Sequence, residues 1–184
     1  VSGATLTAVI GAPGDDSNAG SAYVFTYSGG AWAQSAKLTA SDRAADDLFG
    51  TALDYVGSTV VVGAPGDDGS RGSAYVYTGS GASWPQSQKL ISSSAQAGEE
   101  FGVAIAVDSF IVVGAPGYDG KNVNQGAAFV YNWSGSSWIV SARLTADGGL
   151  PESLAQNEGR ANDHFGEAVA TSGEYVVVGA PDYD

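Results

Sequence analysis

Gly-Ala-Pro occurs four times in this chain, beginning at Gly11, Gly63, Gly114 and Gly179, and Phe-Gly occurs three times, at Phe49, Phe101 and Phe165. A signature that returns at intervals of about fifty residues, with the last interval longer, marks one supersecondary unit used repeatedly, and the period lies in the range of a propeller blade. Between the signatures, four short segments recur in the same order. The first opens with Phe-Gly and carries small residues, as in Phe49-Gly50-Thr51-Ala52-Leu53 and Phe101-Gly102-Val103-Ala104-Ile105. The second is a β-branched run into Gly-Ala-Pro: Val60-Val61-Val62, Ile111-Val112-Val113, Val176-Val177-Val178. The third follows a glycine: Ala22-Tyr23-Val24-Phe25, Ala74-Tyr75-Val76-Tyr77, Ala128-Phe129-Val130-Tyr131. The fourth runs from a Trp to a basic-Leu pair: Trp32 to Lys37-Leu38, Trp84 to Lys89-Leu90, Trp138 to Arg143-Leu144.

Four short antiparallel strands per unit make a propeller blade, so the pattern predicts an all-β chain. Near-continuous Val and Ile suit strands covered on both faces, and small residues suit the crowded strand nearest the axis. The Trp of the fourth strand is expected to lay its ring on the adjacent blade. Pro13-Gly14, Pro65-Gly66 and Pro116-Gly117 read as type II turns, which need φ > 0 at the glycine, and Pro181-Asp182 as a type I turn. The units divide the chain into a partial blade at 1–41, full blades at 42–94 and 95–148, and a partial blade at 149–184. Propellers close with about 4–8 blades. The ring is therefore incomplete within this chain, and closure is expected to need further blades from a parent chain or from another copy. The absence of Met, even at position 1, fits a processed chain or a fragment.

Together, the Phe-Gly and Gly-Ala-Pro signatures resemble FG-GAP repeats, the blades of the integrin α-subunit propeller and its bacterial relatives. The resemblance spans nearly the whole chain. It implies an extracellular or cell-surface, non-catalytic module that binds protein or carbohydrate through rim loops. The part-blades suggest an alternative, a self-assembling component of a surface layer, sheath or filament, since a neighbour's strand can complete an unfinished blade. A lesser alternative is an accessory propeller of a secreted hydrolase.

Charge and composition narrow the partners. A net charge of −13 leaves no basic surface for nucleic acid or for an anionic membrane. No stretch is long and apolar enough to span a bilayer as a helix. With no Cys, thiolate metal sites and disulfides are excluded. His164 is the single His, and the sequence shows no partners for a catalytic triad or zinc site around it. No catalytic residues are expected.

Two features are candidates for a binding role. Asp16, Asp68, Asp119 and Asp184 recur three residues after each Gly-Ala-Pro proline, preceded in two copies by Asp15 and Asp67. Carboxylates gathered on one face could hold Ca²⁺, and Asp equally serves turns by bonding its own backbone; both readings fit. Integrin-like blades often carry an Asp-x-Asp-x-Asp-Gly-x-x-Asp calcium loop between their first two strands. Here that hairpin reads Asp54-Tyr55-Val56-Gly57-Ser58, Ala106-Val107-Asp108-Ser109 and Thr171-Ser172-Gly173-Glu174, so calcium does not carry over by that route. Acidic residues before Phe-Gly (Asp46-Asp47, Glu99-Glu100, and Asp163 beside His164) read either as part of a cation site or as caps on backbone N–H groups. The second candidate is a pair of insertions. Gly117–Gly126 is three residues longer than its counterparts, and 147–162 lengthens the next link by ten. Their residues Tyr118, Lys121, Asn122, Asn124, Glu152, Asn157 and Arg160 are the expected ligand contacts, because insertions in repeat proteins map to loops and often to a binding face. Asn132-Trp133-Ser134 matches a glycosylation acceptor.

Overall fold

The computed structural model describes residues 6–94, 96–146 and 160–182. Among these residues the chain forms four antiparallel sheets, with no closed ring. The first sheet contains β1 (Leu6–Ala12), β2 (Ser21–Ser28) and β3 (Ala31–Leu38). The second is a full meander of β4 (Leu53–Val56), β5 (Thr59–Ala64), β6 (Ser73–Thr78) and β7 (Gln86–Leu90). The third repeats it with β8 (Ala104–Val107), β9 (Ile111–Ala115), β10 (Ala127–Trp133) and β11 (Trp138–Leu144). The fourth has β12 (Ala168–Ser172) and β13 (Tyr175–Gly179). The short strands β4, β8 and β12 lie side by side, as the inner strands of successive blades do.

The valine triplets explain the stacking. Side chains alternate along a strand, so in β5 Val60 and Val62 pack towards the first sheet while Val61 packs towards the third. In β9, Ile111 and Val113 face the second sheet and Val112 the fourth. All six are fully buried. A strand clothed on both faces has no polar side, which is why these runs do not alternate in sequence. Trp84 and Trp138 pack at the interface with the preceding sheet, as expected, whereas Trp32 has no preceding sheet among the described residues and is 50% exposed.

Two local expectations are corrected. Phe-Gly does not open the first strand. Phe49 and Phe101 are fully buried between sheets, and their N–H groups donate to the Ala19 and Arg71 carbonyls of the preceding blade. The Gly50 N–H donates to the Gly63 carbonyl, and Gly50 presses on Gly11 so closely that a Cβ on Gly11 would stand 2.0 Å from the Gly50 oxygen. Phe-Gly is thus the joint between blades, and the inner strand begins three to four residues later.

The Pro-Gly turns are not type II either. Gly14 and Gly66 have φ of −82° and −81°, and Gly117 is likewise outside the left-handed region. At Gly66 and Gly117 the glycine is required by contact: a Cβ there would lie 1.9 Å from the Asp46 and Gly98 carbonyl oxygens. Positive φ falls further along instead, on Asp16, Ser17 and Asn18, and on Asp68, Gly69 and Ser70. Each trio makes a short left-handed turn, a conformation that non-glycine residues adopt at a cost of about 1–2 kcal/mol each.

Candidate functional site

In a four-stranded meander the link between strands two and three, and the link into the next blade, emerge at the same end. Among the described residues, that rim therefore gathers the Asp-rich turns and the segments before Phe-Gly. The two kinds of loop are tied across blades. Asp46 and Leu48 N–H groups donate to the Ser17 and Asn18 carbonyls, the Glu100 N–H to Ser70, and the Asn162 and His164 N–H groups to Val123 and Asn124.

The first Asp of each pair is engaged inside its own blade. Asp67 is buried, and its Oδ2 accepts from the Lys89 ammonium at 2.6 Å and from the Tyr75 hydroxyl at 2.8 Å. Tyr75 also donates to Asp42, which pairs with Lys89 at 2.7 Å. Burial alone pushes the Asp67 carboxyl up, but Lys89 and Tyr75 outweigh it and hold the group below the ordinary carboxylate range. Asp15 repeats the arrangement with Lys37 at 2.8 Å and Tyr23 at 2.9 Å, and Lys37 above all depresses it. In the third copy Tyr118 takes the Asp place, Phe129 replaces the tyrosine and Arg143 the lysine. The Arg143 guanidinium sits 5.0 Å from the Tyr118 ring centre, and Tyr118 meets Phe129 edge-on at 6.2 Å. An ammonium thus already occupies the cation position at Asp15 and Asp67. Of the second aspartates, Asp16 pairs with Arg43 at 2.7 Å, Asp68 lies 3.7 Å from Lys89, and Asp119 accepts from the Asn124 N–H at 2.7 Å. Asp184 lies outside the described residues.

The acids before Phe-Gly bond backbone. Asp47, Glu99 and Asp163 are buried, and each accepts from the N–H three residues earlier, of Ala44, Gln96 and Arg160. Glu99 is fully buried and also accepts from the Ser92 and Ser94 hydroxyls. At the opposite rim, Asp54 and Asp108 accept from the Val107 and Gly173 N–H groups of the next blade, so these carboxylates link blades where integrin-like repeats carry a calcium loop.

The two insertions meet. Asn124 Nδ2 donates to Asn162 Oδ1 at 3.1 Å, joining the 117–126 loop to the end of the 147–162 segment. Lys121 and Asn122 are exposed on this loop, as is Arg160 beside it, whereas Asn124 is half-buried and Tyr118 is buried beneath. Glu152 and Asn157 lie outside the described residues. Asn132 projects from the exposed end of β10.

Two groupings escaped the sequence reading. Trp133 and Trp138, with ring centres 5.5 Å apart, line an open cleft of about 320 Å³ with Thr59 and Thr78, at the rim opposite the insertions. His164 does have partners: its Nδ1 lies 2.7 Å from Asp182 Oδ2, and Glu167 offers a carboxylate oxygen to the same point.

A family model described as FG-GAP repeat matches residues 32–77, 84–131 and 150–184. Comparison with curated proteins finds no match.

Proposed function

The chain belongs to the FG-GAP repeat family, and we propose that it works as a non-catalytic, extracellular recognition module whose ligand, a protein or a glycan, docks on the rim that carries the two insertions. One observation carries this reading. The only two places where the repeat lengthens, 117–126 and 147–162, belong to adjoining loops of one rim, joined by the Asn124–Asn162 hydrogen bond, the counterpart of Asn18–Asp46 in the earlier blades. Apart from His164, Glu167 and Asp182 in the fourth blade, the other described loops of this rim repeat with the blades and make internal bonds. Loops that repeat with the fold serve the fold, whereas added, exposed, polar loop residues serve recognition.

The experiment is a screen of the chain against a glycan array and a panel of surface proteins, followed by two variants. One cuts 117–126 to the length of 66–72; the other is Trp133→Ala, on the opposite rim. The loop variant should lose binding and keep its melting temperature, and Trp133→Ala should bind as the parent does. Loss of binding in Trp133→Ala alone would move recognition to the tryptophan cleft and refute the rim assignment.

A second reading, self-association, is favoured by the end faces. Ile10 and Val177 are 53% and 66% exposed, although their counterparts in the middle sheets, Val62 and Val61, are fully buried. Faces of this kind are normally covered. Native mass as a function of concentration separates a monomer from an assembly.

A further inference from the structure

We infer that His164, Glu167 and Asp182 form a binding site for a divalent transition-metal ion of the zinc class, with coordination positions left open to water or to an oxygen of a ligand. The repeat itself makes the case. His164 stands where the earlier blades have Leu48 and Glu100, Glu167 where they have Thr51 and Val103, and Asp182 where they have Gly66 and Gly117. The second blade has no metal-ligating side chain at these three positions and the third has one. The fourth has three, and their ligand atoms all lie within 4.8 Å of one another. Three departures from a repeat, two in one turn and the third fifteen residues on, bring three ligand groups together and are not explained by anything the fold requires.

One of the departures works against the fold. At Gly66 and Gly117 a Cβ would come within 1.9 Å of a carbonyl oxygen of the loop before Phe-Gly, and their N–H groups donate to the Asp47 and Glu99 carbonyls. Asp182 stands at the same position of the repeat, and the corresponding bond from its N–H to Asp163 is not among those of the described residues. The Asp182 carboxylate turns to His164 Nδ1 at 2.7 Å, and the Glu167 N–H, bonded to the His164 carbonyl at 3.1 Å, fixes the spacing of the other two residues.

The donor set selects the ion. An imidazole nitrogen suits zinc and its neighbours, and carboxylate oxygens are accepted by the same ions. Ca²⁺ takes about 6–8 oxygen ligands and gains little from a histidine. Tetrahedral zinc, with ligand bonds of about 2.0–2.2 Å, holds neighbouring donors somewhat over 3 Å apart. Opening the His164–Asp182 contact by a fraction of an ångström would therefore admit it. Partial exposure of all three side chains gives the ion a path in, and the net charge of −13 raises the local cation concentration. The site does not depend on the recognition reading.

Because His164 is the single His, its ring signals in a proton–nitrogen NMR spectrum report on this site alone. The chain is freed of metal with EDTA and titrated with Zn²⁺, with calorimetry in parallel and excess Ca²⁺ present to occupy unspecific acidic sites. Zinc should move the imidazole resonances and saturate at one equivalent, and Ca²⁺ alone should not move them. Asp182→Gly and Glu167→Thr each install the residue of an earlier blade, so the fold is expected to survive. Each should weaken Zn²⁺ binding by at least the roughly tenfold that even an outer-sphere partner is worth. Unmoved imidazole signals at saturating Zn²⁺, or unchanged affinity in a folded Asp182→Gly variant, would overturn the site and leave only a histidine–aspartate hydrogen bond.

Discussion

The contact most exposed to a single-residue test is the glycine joint between blades. Gly63 of β5 meets Gly102 of the next blade, and an added Cβ would stand 1.9 Å from the Gly102 oxygen, 2.8 Å from its carbonyl carbon and 3.2 Å from its Cα. All three neighbours are backbone, so no side chain can swing away. The φ of Gly63 is one that alanine also adopts, and the penalty of Gly63→Ala is therefore purely the lost space. Restoring an ordinary contact means parting the second and third sheets by about 1 Å in a close-packed interface. Overpacking of this kind costs about 1–3 kcal/mol. The upper end applies, because the same displacement pulls on the hydrogen bond from the Phe101 N–H to the Arg71 carbonyl and on the Phe101 ring, which is fully buried between the sheets. At about 2–4 °C per kcal/mol for a chain of this size, a loss of about 3 kcal/mol lowers the melting temperature by about 6–12 °C. Gly179→Ala is the matched control: it is the equivalent position in β13, where the nearest atom is the Ala168 Cβ at 3.4 Å. There alanine only restricts the unfolded chain and should stabilise by up to about 1 kcal/mol. Calorimetric melting of both variants beside the parent decides the matter. Equal melting temperatures for Gly63→Ala and Gly179→Ala would refute the close approach as the reason for the glycine.

Two further perturbations test the rim. Lys89 holds Asp67 below the ordinary carboxylate range, so the pair's stabilisation is present above the unfolded value of about 3.9 and is lost as pH falls through the lower folded value. Lys89→Met strands a buried carboxylate and should cost about 3 kcal/mol at neutral pH, with the deficit shrinking as acid protonates Asp67; urea melts that show a pH-independent deficit would contradict the pairing. Glu99→Gln replaces an acceptor by a donor opposite the Gln96 N–H or the serine hydroxyls and should destabilise by about 1–3 kcal/mol, whereas exposed Glu100→Gln should stay within about 0.5 kcal/mol of the parent.

The strands were legible because each copy of the repeat checks the others. Four aligned examples of Val-Val-Val-Gly-Ala-Pro or its close variants leave little freedom in where a strand lies or which faces it buries. The glycines were less legible. A glycine after proline looks the same in sequence whether it supplies a left-handed φ, as a type II turn demands, or makes room for a passing carbonyl, as Gly66 does for Asp46. The distinction lies in a partner twenty residues away. Phe-Gly posed the same problem. Its apolar ring reads as part of a strand, yet Phe49 serves the neighbouring blade, and local pattern carries no information on contacts between units. For the site, the two insertions were visible as departures in length. His164 was passed over because Glu167 and Asp182 look unremarkable until they are aligned with Thr51 and Gly66.

That comparison separates two kinds of change within the repeat. Between the second and third blades, Asp67, Ser73, Tyr75 and Lys89 become Tyr118, Ala127, Phe129 and Arg143. Four residues change, and the same place in the blade stays filled. A carboxylate held by an ammonium and a hydroxyl gives way to an aromatic ring held by a guanidinium and a second ring. Each new residue answers another, so the change is compensated and belongs to the fold. Asp15 and Asp67 fall on this side: they recur with an internal polar contact, and where that contact is replaced by stacking, the aspartate gives way to Tyr118. The fourth blade departs differently. His164, Glu167 and Asp182 lie at the surface, fill no gap, and put a side chain where the earlier blades need glycine. The 117–126 and 147–162 insertions depart from the repeat in length. His164 and Asp182 answer only each other, at the surface, so returning Asp182 to the glycine of the earlier blades tests whether the pair serves the fold or an ion.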